Sequence, residues 1–108
     1  MTDENQGLGR ESREGWTQLH FAADEQDAAA VGALLVAGVE ADAPDGQGNT
    51  PLWQAVFTYR GDAAVLSLLV EAGADPDRDN FHGVSPRRLA GWRIGSDVAA
   101  HLGDRPSS

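Results

Sequence analysis

Gly48-Asn49-Thr50-Pro51-Leu52 contains the ingredients of a helix start: a glycine turn, a hydroxyl residue, then proline. The Thr50 hydroxyl suits the N-cap, and Pro51 suits the first helical position, where a missing N–H costs nothing. The same frame stands 33 residues earlier as Gly15-Trp16-Thr17-Gln18-Leu19, and 35 residues later, more loosely, as Gly83-Val84-Ser85-Pro86. A second series keeps step with it. Val31, Leu34, Leu35 and Gly38 are matched 35 residues on by Leu66, Leu69, Val70 and Gly73. Two series in step, spaced by 33 to 35 residues, make the chain a repeat array, in which a single unit cannot bury its apolar face alone.

Each unit reads as two short helices and a turn. From Thr17, the apolar Leu19, Ala22 and Ala23 lie on one helical face. After a break at Gln26–Asp27 the series resumes at Val31, Leu34 and Leu35, and Gly38 and Gly73 are placed as left-handed C-caps. Acidic, turn-rich segments follow, Glu40–Gly48 and Asp75–Asn80.

Gly48–Leu52, Leu68-Leu69-Val70-Glu71-Ala72-Gly73-Ala74-Asp75-Pro76 and Trp16–Ala23 together resemble the ankyrin repeat family. The resemblance implies an all-α ankyrin-repeat solenoid of helix-turn-helix units with projecting β-hairpin-like fingers. It covers residues 15–102 as repeats 15–47, 48–82 and 83–102, with residues 1–14 and 103–108 expected as flexible tails. Departures from the pattern are Gln18 for proline, Trp53 for histidine, Arg87 for leucine, and two extra residues within Phe57–Arg60. Terminal repeats of such arrays need polar outer faces, and Arg87-Arg88 at one end and Gln18 at the other fit that need.

With 108 residues, 41% hydrophobic and 23% charged, the chain suits one globular domain. Seventeen acids against eight bases give a net charge of -9, which repels nucleic-acid phosphates and anionic lipid. Every base is arginine and there is no cysteine, so P-loop lysine chemistry, Schiff bases, thiol catalysis, Cys-ligated zinc and disulfides are excluded. The Ala/Gly/Asp/Arg-rich usage suggests a bacterial source. Residues 1–14 lack the apolar run of a signal peptide and no segment reaches a membrane span, so a cytoplasmic protein is expected.

No chemistry is expected of the polar residues. In the family pattern His20 bonds the neighbouring turn, while His82 and His101 stand apart from it. Asp75-Pro76-Asp77-Arg78-Asp79 opens like a calcium loop but has Asn80 where glycine is needed and Pro86 where glutamate is needed. Gly46-Gln47-Gly48 is a turn with no phosphate-loop continuation. No cofactor, metal or catalytic residue is assigned.

What remains is a surface. In the ankyrin pattern the groove-facing positions are Trp16, Asn49 and Val84, then Asp24-Glu25, Phe57-Thr58 and Trp92-Arg93; Tyr59, Arg60, Phe81 and His82 lie near them. Thr58 is expected on an exposed extension, and Trp53 in the core. Trp, Tyr and Arg are common interface anchors. Residues 15–47 carry six acids and no base, whereas 83–102 net +2. The expected function is therefore non-catalytic binding of another protein, of basic surface, without nucleic acid or membrane. An immunity- or antitoxin-type inhibitor of a cationic enzyme, or a weakly self-assembling structural unit, are the alternatives.

Overall fold

The computed structural model describes residues 13–93, with the side chain of Arg93 excepted. Residues 1–12 of the expected tail 1–14, the expected tail 103–108, His101 and the end of the third repeat lie outside the described residues.

Three helices start alike because three hydroxyl caps recur. Helix α1 (Gln18–Asp24) begins at Thr17, whose Oγ1 accepts from the His20 N–H at 3.3 Å while His20 Nδ1 accepts the Thr17 N–H at 3.0 Å. This reciprocal pair is a capping box with histidine in place of the usual glutamate. Helix α3 (Pro51–Phe57) begins at Thr50, which accepts from Trp53 N–H at 3.3 Å. Helix α5 (Pro86–Arg93) follows Ser85, which accepts from Arg88 N–H at 3.1 Å.

The second helices are α2 (Ala28–Val36) and α4 (Ala64–Glu71). Asp27 caps α2 through the Ala30 N–H at 3.1 Å, while α4 has no side-chain N-cap bond. Both end in the expected glycine caps. Gly38 N–H donates to Leu35 O and Val39 N–H to Leu34 O; Gly73 N–H donates to Val70 O and Ala74 N–H to Leu69 O. The pairing is the Schellman pattern, made possible by φ of +91° and +95° at the two glycines.

α1, α3 and α5 stack in a row, α2 packs on α4, and each pair packs within its own repeat. The seam is filled by Leu19, Val31, Leu52, Val56, Leu66 and Leu69, each at most 1% exposed. The loops before α3 and α5 repeat in atomic detail. Asp45 Oδ1 takes the N–H groups of Gln47 and Asn49, and Asn80 Oδ1 takes those of His82 and Val84. Successive loops are tied by Gly46 N–H to Glu14 O at 2.7 Å and Phe81 N–H to Gln47 O at 3.0 Å. The expected fingers are thus present as linked turns, and no strand occurs among the described residues. Arg13 and Glu14, read from sequence as tail, take part in this scaffold: the Arg13 guanidinium lies 5.1 Å from the Trp16 ring centre.

The first repeat departs from expectation on its outer side. A polar capping face is anticipated there, and Gln18, Glu25 and Asp27 are on it, but Phe21, Ala22, Ala30, Ala33 and Leu34 line the same open groove of about 410 Å³.

Candidate functional site

The proposed groove residues fall into three groups. Glu25, Arg60, Phe81, His82 and Trp92 are exposed, with Phe81 at 73% and Trp92 at 67%. Phe81 is held at its finger by its backbone bond to Gln47, and His82 Nε2 lies 3.0 Å from Gln47 Oε1. Phe81 and His82 are presented by hydrogen-bonded turns and Trp92 by α5, with their surfaces open.

Trp16, Asp24, Phe57, Thr58 and Tyr59 are half-buried. Trp16 stacks over His20 with centroids 6.1 Å apart and meets Phe21 edge-on at 4.8 Å, so much of its ring covers the first repeat. Phe57 stacks on Trp53 at 5.4 Å and both pack against the core, as does Tyr59. Asp24 Oδ1 accepts from Gln54 Nε2 at 3.1 Å, joining the first two repeats.

Two expectations need correction. Asn49 is buried, not groove-facing: its Oδ1 accepts from Asn80 Nδ2 at 2.8 Å, and its carbonyl lies 2.7 Å from His20 Nε2. Thr58 does not lie on a free extension. Its hydroxyl donates to Gln54 O at 3.1 Å and accepts from Gln26 Nε2 at 3.0 Å, so removing it costs two hydrogen bonds. Gln26 also donates to Ala55 O at 2.9 Å, and reaches both partners from a left-handed backbone of φ 58°. Sequence reasoning missed Gln26 as an inter-repeat tie; its place at the helix break was the available signal. Arg93 closes α5, and its side chain lies outside the described residues.

His20 is wholly buried, and burial pushes its pKa below 6.5, opposed by the Asn49 carbonyl and the charge of Asp45. With Nδ1 accepting the Thr17 N–H, the neutral ring carries its proton on Nε2 and donates to Asn49 O. Because the folded state favours the neutral ring, its contribution is complete above the unfolded value of 6.5 and is lost as pH falls toward the lower folded value. The melting midpoint is therefore expected to fall between about pH 7.5 and about pH 5.5, and to fall less in His20→Gln. A midpoint flat across that window, followed by circular dichroism, contradicts this assignment.

Among the described residues no group of three His, Asp or Glu is placed to hold a metal ion, and no helix is long and apolar enough to cross a membrane.

A family model described as ankyrin repeats in three copies matches residues 2–80. The p105 subunit of nuclear factor NF-kappa-B from Mus musculus is 37% identical over 98 residues, 90% of this chain and 10% of that protein. Its counterpart from Gallus gallus is 36% identical over 73 residues, 67% of this chain and 7% of that protein. The chain thus spans at most a tenth of the length of these relatives. An ankyrin repeat domain from Acinetobacter baumannii, solved by crystallography, superposes with a TM-score of 0.76 at 29% identity, over 83% of this chain and 47% of that one.

Proposed function

The chain belongs to the ankyrin repeat family, whose repeats are protein–protein interaction modules, and we propose that it binds a protein of basic surface through its fingers and first-helix groove. The observation that carries this reading is the exposure of Phe81 and Trp92, two large aromatics left open on a stack whose other apolar residues mostly lie inside. Glu25, Tyr59, Arg60 and His82 complete the contact set. Trp16, Asp24, Phe57 and Thr58 support it from half-buried positions, and Asn49 acts from below as scaffold. Residues 15–47, with six acids and no base, supply the attraction for a cationic partner. The role is non-catalytic, and a cytoplasmic setting belongs to the same proposal.

Association and dissociation rates of a partner captured on the immobilised chain separate the two contributions. Glu25→Arg should slow association and flatten its salt dependence, since exposed charges act through steering. Phe81→Ala or Tyr59→Ala should speed dissociation, at a cost of about 2 kcal/mol for a desolvated anchor. Asp24 is unsuitable for the charge test because its substitution also removes the bond to Gln54. A captured partner whose rates ignore all three substitutions refutes this surface.

A further inference from the structure

We infer that the two ends of the stack fit each other, so that copies of this chain associate head to tail through the outer face of α1 and α2 and the open face of α5. The register of the repeats carries the inference. Thirty-three residues beyond Gln18, Phe21, Ala22 and Glu25 stand Pro51, Gln54, Ala55 and Thr58. In the second repeat the first three of these are buried and Thr58 half-buried, because the first repeat covers them through the Asp24–Gln54, Gln26–Ala55 and Gln26–Thr58 bonds. In the first repeat the same positions line the open groove, with Phe21 39% exposed. It is a stacking face without a covering repeat among the described residues.

At the other end the same logic picks out Arg88 and Trp92. Arg88 occupies the repeat position of His20 and Trp53, and Trp92 that of Asp24 and Phe57. His20 is wholly buried, and Asp24, Trp53 and Phe57 are half-buried; Arg88 and Trp92 are exposed. If one copy continues the stack of another, the Asp24–Gln54 contact becomes Trp92 against Phe21, an aromatic pair. The His20 contact to the Asn49 carbonyl becomes Arg88 facing the Trp16 carbonyl, with guanidinium donors to spare beyond its bond to Gly83 O.

Charge agrees with this pairing. Residues 15–47 hold six acids and no base, while 83–93 hold three arginines and no acid, one of them, Arg87, already paired with Asp77 at 2.8 Å. The net charge of -9 opposes association over long range, but a Debye length of about 8 Å at 0.15 M salt leaves the close contacts favoured. A head-to-tail contact that continues the stack carries no rotation that closes a ring, so the series is open-ended. The inference stands apart from partner binding: both readings share Glu25 and Trp92, but Phe21 and Ala33 belong only to the end face.

Sedimentation equilibrium tests it. At about 1 mM the native chain should show a mass that rises with concentration and reaches no dimer plateau. Phe21→Glu, or Ala33→Glu should the first fail to fold, blocks the head; Trp92→Glu blocks the tail. Each variant alone should remain monomeric. Mixed in equal amounts, the free tail of one meets the free head of the other and a dimer should form and grow no further. A native chain monomeric at about 1 mM overturns the inference. So does a mixture that stays monomeric, self-association that survives Ala33→Glu, or a dimer plateau, which would assign the face to a two-fold contact.

Discussion

Leu69→Ala is expected to remove ~2–5 kcal/mol of unfolding free energy, the range for truncating a fully buried leucine. Leu69 has no exposed surface, and its helix, α4, packs against α2 and α3 at once. Neighbours fixed on both sides cannot relax into the cavity. In a domain with ~5–15 kcal/mol in total, that loss is a large fraction of stability. Leu34 provides the comparison, because it holds the matching place 35 residues earlier but is only half-buried at the open end. Leu34→Ala should cost clearly less in the same urea titration. Equal losses would mean that the end groove is covered in solution.

Gly48→Ala should be strongly destabilising although it lies in a turn and not in the apolar core. Its φ is +82°, and a Cβ there would stand 2.7 Å from Phe81 N and 2.6 Å from Phe81 Cδ1. The nearby backbone amide is the one that ties the two fingers through Gln47 O, so the methyl must push that contact apart. Gly83 separates strain from clash: its φ is +80°, but a Cβ would meet nothing within 4 Å. Gly83→Ala should therefore cost ~1–2 kcal/mol for the left-handed backbone alone. Gly48→Ala should cost a further ~1–3 kcal/mol for overpacking, and should weaken partner binding by displacing Phe81. Chemical denaturation of the two variants gives the difference directly.

How much of this was legible in the sequence depends on the distance between partners. The caps Thr17, Thr50 and Ser85 act within three residues of themselves, and the glycine caps Gly38 and Gly73 within five, so local spacing revealed them. Asn49 and Thr58 were misread because their decisive partners, Asn80 and Gln26, lie 31 and 32 residues away. A position that faces a groove in a repeat pattern can still turn its side chain into the inter-repeat seam. Phe21 shows the converse. It lies off the Leu19–Ala22–Ala23 face of α1, at the position matched 33 residues on by Gln54, which the first repeat covers; among the described residues no repeat covers Phe21, and no local pattern records that.

The proposed partner contact lies on the fingers and first helices of this stack. Amide chemical-shift mapping of the labelled chain, titrated with that captured partner, tests it most directly. The largest shifts are expected at Glu25, Tyr59, Arg60, Phe81, His82 and Trp92. Shifts concentrated instead on α2 and α4, at residues such as Val36 and Glu71, would contradict it and move the interface to the second helices.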